Sequence, residues 1–85
     1  MNKVYYGEVD SDYGGVFVAS KNSKEARRIA WREEPISYYA CYKNAFINFT
    51  VERQEKNGKP ITTELSGVIT TEQAQALGID VYYLK

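Results

Sequence analysis

A row of basic side chains lies beside a tryptophan in one short stretch of the chain. Lys24, Arg28 and Arg32 recur every four residues, so a helix would place them on one face, with Arg27 and Trp31 on its flank. Arginine and tryptophan are preferred anchors of protein interfaces, and cations beside an aromatic ring also suit nucleic acid. The stretch is therefore a candidate partner-binding surface. The alternative is a solvated face whose charges pair with neighbouring carboxylates and whose tryptophan folds back under the next loop.

The acidic turn that contains Asp10, Asp12 and Tyr13 is a second candidate surface. Its carboxylates are spaced like the first ligands of an EF-hand calcium loop, but the fifth position is Gly14 and the twelfth is Lys21, where a glutamate is needed. We therefore predict a polar hairpin turn and no metal site. Its carboxylates would imitate phosphates toward a basic channel of a partner.

The residue types that usually carry catalysis are scarce in this chain. It has no histidine, and so lacks the commonest general base and the commonest metal ligand. Cys41 is the only cysteine, and we interpret it as a small buried side chain. The sequence predicts a protein without catalytic residues and without a cofactor.

An N-terminal hairpin and one helix would position the basic face. β-Branched and aromatic residues predict strands over 3–9 and 16–19, with turn residues between them. Asn22 is a good N-cap with Glu25 three residues later, and apolar residues then recur at helical spacing until a proline ends the run. We therefore expect a helix over 23–33.

The rest of the chain alternates turns with short apolar segments. We expect, in order, an unassigned aromatic stretch, a half-buried strand, a turn, a short edge strand, a two-turn helix and a closing strand, over 36–44, 45–54, 56–60, 61–68, 71–77 and 79–84. Thr70 with Gln73 suits a capping box, and Gly78 suits a helix end. The predicted fold is a single α+β domain over 1–85, ordered β-β-α-x-β-α-β, with a mostly antiparallel sheet of about four strands and two helices on one face.

Composition limits the partners and the compartment. Eleven basic and eleven acidic residues cancel, so no global field draws the molecule toward nucleic acid. A single cysteine forms no internal disulfide, the N-terminus lacks the apolar run of a signal peptide, and no stretch approaches the ~20 apolar residues of a membrane span. We expect a cytoplasmic protein without a membrane partner. It would be a monomer or, through pairing of its terminal strands, a homodimer.

Three segments carry a resemblance: YGGVFVA over 13–19, SKEARRIAW over 23–31, and TEQA over 71–74 followed by GIDVYY over 78–83. In these segments the chain resembles small uncharacterised phage and prophage proteins, in which a hairpin leads into a KEA..hAW helix (h is apolar) and a GI..YY strand follows a short helix. The resemblance implies a mobile-element accessory protein. That group includes anti-CRISPR and other anti-defence proteins, which bind and block a host component.

Two functions stay open at this point. The leading hypothesis is a non-catalytic phage-type module that binds a host protein, such as a CRISPR effector or another nucleic-acid-handling defence complex, and inhibits it by occlusion. The alternative is a weak nucleic-acid-binding module that uses the basic helix face. Salt separates the two, because affinity for nucleic acid falls steeply as the salt concentration rises.

Overall fold

A five-stranded antiparallel sheet, a separate two-stranded hairpin and two helices make up the part of the protein that the structure describes. The computed structural model describes residues 1–10, 14–33 and 49–79. Within these ranges the α+β class is confirmed, and neither helix is long and apolar enough to cross a membrane. In chain order the elements are β1 (Asn2–Asp10), β2 (Gly14–Ser20), α1 (Ser23–Trp31), β3 (Thr50–Arg53), β4 (Glu55–Lys56), β5 (Lys59–Pro60), β6 (Thr62–Thr63), β7 (Gly67–Ile69) and α2 (Thr71–Ala76).

β1 is the strand around which the sheet is built. It pairs antiparallel with β2, from Lys3 opposite Ser20 to Asp10 opposite Gly14, which confirms the predicted N-terminal hairpin. β2 pairs in turn with β7. β3 and β6 both pair antiparallel with β1, so the sheet runs β3-β1-β2-β7, with β6 beside the part of β1 that β3 does not reach.

β3 and β6 together act as one edge strand that a hairpin interrupts. The N–H of Gln54 donates to the carbonyl of Val4 at 2.8 Å, and the N–H of Val4 donates to the carbonyl of Ile61 at 3.1 Å. Between these two bonds, residues 55–60 leave the sheet as the β4–β5 hairpin. The N–H of Ile61 closes the base of this hairpin on the carbonyl of Gln54 at 3.0 Å.

The β4–β5 hairpin has the turn that its sequence predicts. Asn57 and Gly58 have φ angles of 57° and 78°, and positive values at both central residues are what a type I′ hairpin turn requires. The turn predicted over 56–60 is therefore confirmed. The hairpin lies close to the end of α2. A Cβ built on Gly78 would be only 2.9 Å from the Nζ atom of Lys56.

The two central strands are apolar on both faces. Val4 and Tyr6 point to one face of β1 and Tyr5 to the other, because side chains alternate along a strand. In β2, Ala19 lies opposite Val4, and Val18 lies opposite Tyr5. All five side chains are at most 6% exposed. A sheet whose central strands are buried on both sides must be covered on both sides.

Each helix accordingly covers its own face of the sheet. α2 closes a cluster of Val4, Tyr6, Phe17, Ala19, Ile61, Ile69, Ala74 and Ile79. α1 closes a second cluster of Tyr5, Val18, Ala26, Ala30 and Phe49. The expectation that both helices lie on one face is wrong, because β1 and β2 do not alternate between apolar and polar residues as a one-sided sheet would.

Both helices begin at the caps that the sequence predicts. For α1, the Oδ1 atom of Asn22 accepts from the N–H of Glu25 at 2.8 Å. For α2, Thr70 and Gln73 form a capping box: the N–H of Gln73 donates to the Thr70 hydroxyl at 3.1 Å, and the N–H of Thr70 donates to the Gln73 Oε1 at 2.8 Å. These bonds satisfy amides that the first helical turn leaves without partners.

The ends of the helices follow local geometry. α1 ends at Trp31, short of the predicted residue 33, because Arg32 is its C-cap. α2 ends at Ala76 with Leu77 as its C-cap, and the predicted glycine follows: Gly78 has a φ of 95°, and the N–H of Ile79 donates to the carbonyl of Ala74 at 3.2 Å. That return bond across a left-handed glycine is the mark of a Schellman motif.

The other predicted strands agree with the structure only in part. β3 falls inside the strand predicted over 45–54, and the edge strand predicted over 61–68 is instead two short strands, β6 and β7, on opposite sides of the β1–β2 pair. Gly67, with a φ of 83°, begins β7. The unassigned stretch 36–44 and the predicted closing strand beyond Ile79 lie outside the described residues.

Gly15 marks a close approach inside the hairpin. A Cβ on Gly15 would lie 2.2 Å from the carbonyl oxygen of Gly7 and 2.9 Å from the Cζ atom of Tyr6. Gly15→Ala should therefore lower the free energy of unfolding by about 1 to 3 kcal/mol, the usual cost of overpacking, as measured by urea unfolding. Ser66→Ala, at an exposed position, is the control and should change it by less than about 0.5 kcal/mol. An unchanged urea midpoint for Gly15→Ala would contradict this packing.

Candidate functional site

α1 lies close to the sheet because its inward side chains are small. Ala26 and Ala30 are one turn apart, are both 0% exposed, and share a cluster with Tyr5 and Val18 of the central strands. Alanine brings a helix backbone near the strands and fixes the rotation of the helix about its own axis. The face opposite the two alanines is therefore held outward.

That outward face carries a row of cations. Lys24, Arg28 and Arg32 are exposed, and successive members lie about 6 Å apart along the helix axis. None of the three forms an ion pair or a side-chain hydrogen bond with any residue of 1–10, 14–33 or 49–79. The salt bridge in this part of the chain joins the Nη2 atom of Arg53 to the Oε2 atom of Glu55 at 2.6 Å. Within the described part of the chain, no carboxylate therefore neutralises the row through an ion pair.

An aromatic pair lies beside the cation row. The ring centroids of Trp31 and Phe49 are 5.0 Å apart, and the planes are tilted by 49°. The Cζ atom of Arg27 lies 4.6 Å from the centroid of Phe49, a cation–π contact. Phe49 is 4% exposed, whereas Trp31 is half-buried. The indole thus rests on a buried ring, and the loop that the alternative interpretation places over it lies outside the described residues.

Two hollows follow the outward face of α1. The larger, of about 370 Å³, is lined by Lys24, Arg27, Arg28, Trp31, Arg32 and Phe49. The smaller, of about 280 Å³, is lined by Asn22, Lys24, Glu25 and Arg28. Lys24 and Arg28 line both hollows and so form the wall between them. The structure thus brings together all five helix residues that the sequence singles out.

Phe49 is the member of this surface that sequence reasoning missed. Its alternation with Ile47 and Val51 places it on the buried side of the predicted strand, but that pattern does not say which helix covers that side. In the structure Phe49 directly precedes β3 and belongs to the cluster under α1. Phe49 lies under α1 because the two helices cover opposite faces of the sheet, and no local sequence pattern indicates this placement.

The acidic turn is only partly within the described residues. Asp10 ends β1 opposite Gly14, where the register of the hairpin shifts after Glu8. Asp12 and Tyr13 lie outside the described residues. A role for this turn as a second surface therefore stays a prediction.

No group of three or more metal-binding side chains occurs among residues 1–10, 14–33 and 49–79. Tyr6 is buried, and desolvation, with a smaller contribution from Glu8, raises the pKa of its hydroxyl. It therefore stays protonated at neutral pH, and its ring packs against Phe17 with centroids 4.8 Å apart. Tyr6 thus belongs to the core cluster that α2 closes.

No protein-family model matches this sequence, and no curated protein or solved structure is significantly similar to it.

Phe49 should control the environment of Trp31, which is the only tryptophan in the chain. Phe49→Leu should lower the free energy of unfolding by about 1 to 2 kcal/mol and alter the Trp31 emission of the folded protein, because the indole loses its ring partner. Phe17→Leu, on the opposite face, is the control: it should destabilise similarly while the Trp31 emission keeps its wavelength. Identical emission from Phe49→Leu and the unsubstituted protein would show that the two rings do not pack together.

Proposed function

We propose that the chain is a non-catalytic protein-binding module, which docks the outward face of α1 on a partner protein. The observation that carries the proposal is the row of Lys24, Arg28 and Arg32, without ion pairs to the described residues, beside a hollow lined by Trp31 and Phe49. A cation row whose charges were already paired with carboxylates of its own chain would contribute little electrostatic energy to binding a partner. This row is exposed and held in place by a packed helix.

Energetics favour such a surface as an interface. Arginine and tryptophan are the commonest residues at energetic hot spots, where a central anchor is surrounded by contacts that exclude water. Charged pairs across an interface steer association and select the partner, and close pairs contribute about 1.5 to 7 kcal/mol of coupling in favourable cases. Trp31 supplies the anchor and the cation row supplies the selectivity.

The same geometry favours a protein over nucleic acid. Stacking of successive bases needs exposed aromatic faces, whereas Trp31 is half-buried and tilted against Phe49, and Phe49 is 4% exposed. A net charge of zero adds no long-range attraction for phosphates. Weak nucleic-acid binding through the three cations is the second candidate, because their spacing along one face also suits a phosphate backbone.

The resemblance to small phage and prophage proteins supports the class of partner. We take the partner to be a host defence protein in the cytoplasm, such as a CRISPR effector, and the mode of action to be occlusion of its working surface. Such defence complexes bind nucleic acid through basic channels. The cation row of α1 would contact an acidic region of such a complex outside the channel. The rest of the domain would then block access to the channel.

Arg28→Ala/Arg32→Ala should abolish partner binding and leave the fold intact, because both side chains are exposed. The matched control is Lys56→Ala/Lys59→Ala, which also removes two positive charges but lies on the β4–β5 hairpin near the end of α2. The measurement is affinity capture from bacterial lysate treated with nuclease, read by mass spectrometry. We expect one stoichiometric protein, retained by the control and lost with the α1 variant.

Two other results would contradict the proposal. Equal capture by the α1 variant and the control would exclude the α1 face as the docking surface. Captured proteins that vanish after nuclease treatment would favour nucleic-acid binding. In that case affinity for single-stranded DNA should fall with salt, with a slope of log K against log salt of about −2, as expected for three phosphate contacts.

A further inference from the structure

We infer that the partner segment bound by α1 is an acidic peptide segment in which one large apolar side chain is adjacent to a carboxylate. This inference rests on the proposed function and names the chemistry of its partner. It comes from the division of the outward face into two hollows of different character, which meet at Lys24 and Arg28.

The larger hollow suits an apolar side chain. Trp31 and Phe49 are its apolar lining, and the aliphatic stems of the exposed Arg28 and Arg32 add to it. Arg27 is held over the ring of Phe49 at 4.6 Å, which fixes one side of the hollow before any partner arrives. A surface that is already ordered loses less conformational entropy when it binds. An aromatic or branched aliphatic side chain is therefore the expected anchor.

The smaller hollow suits a carboxylate. Lys24 and Arg28 face it without ion pairs among the described residues, and a guanidinium binds a carboxylate through two parallel hydrogen bonds. Glu25 also lines this hollow, three residues from Arg28 on the same helix, and its charge opposes any group more negative than a single carboxylate. A carboxylate is therefore expected beside the wall of Lys24 and Arg28, next to the apolar anchor. Phosphate, with a greater charge, would meet more repulsion from Glu25.

The test is a displayed library of random 12-residue peptides selected on the purified chain. Three proteins are compared: the unsubstituted chain, Arg28→Ala/Arg32→Ala, and Trp31→Leu. Each variant is first shown by circular dichroism to be folded. A pool of random single-stranded oligonucleotides is selected in parallel on the same proteins.

We expect the unsubstituted chain to enrich peptides that carry aspartate or glutamate next to leucine, phenylalanine or tryptophan. The arginine variant should lose the preference for acidic residues and keep the preference for apolar ones. Trp31→Leu should keep the preference for acidic residues and lose the preference for apolar ones. In a synthetic peptide from the selection, Glu→Gln at the acidic position should weaken binding about tenfold, measured through Trp31 fluorescence.

Enriched peptides without acidic residues, or no enrichment at all, would overturn the inference. If a host protein is nevertheless captured and lost with the arginine variant, the proposed function stands and only the chemistry of the bound segment is wrong. Enrichment of oligonucleotides instead of peptides would overturn both.

Discussion

The burial of β1 and β2 on both faces is the constraint on which the structure depends. Val4 and Tyr6 on one side, and Tyr5 and Val18 on the other, remove apolar surface from water only if each face has its own cover. α2 covers the first face and α1 the second. Because α1 reaches the sheet through Ala26 and Ala30, it lies close, its rotation is fixed, and the three cations of its opposite face are held in solvent. The candidate site is therefore a consequence of how the core is closed.

The edge strand formed by β3 and β6 keeps its pairing with β1 although a hairpin interrupts it. The sheet continues from Gln54 to Ile61 through backbone hydrogen bonds, so residues 55–60 leave it as a hairpin without breaking the pairing with β1. The hairpin lies beside α2, as the contact of Lys56 with Gly78 shows. Lys56 of the hairpin thus lies on the α2 side of the sheet, whereas the cation row of α1 lies on the other side. A balanced chain with zero net charge can in this way still present a locally basic face.

Local signals predicted much of this fold, whereas long-range packing was beyond them. The caps Asn22 and Thr70, the Asn57-Gly58 turn and the left-handed Gly78 that follows α2 can each be predicted from a few neighbouring residues, and each is confirmed. The placement of the two helices was predicted wrongly, because it depends on which strands become central. The same dependence hid Phe49: alternation marks it as buried, but only the assembled sheet places it under Arg27 and Trp31. The cation row was foreseen because helical spacing alone determines it.

The most direct test of the claim that α1 is the docking surface is a nuclear magnetic resonance footprint. The ¹⁵N-labelled chain would be measured with and without the unlabelled partner protein. Docking through α1 predicts that the Trp31 indole N–H signal and the amide signals of α1 shift or broaden, while those of α2 and the β4–β5 hairpin stay in place. Changes confined to α2 or the hairpin, with α1 unaffected, would contradict it.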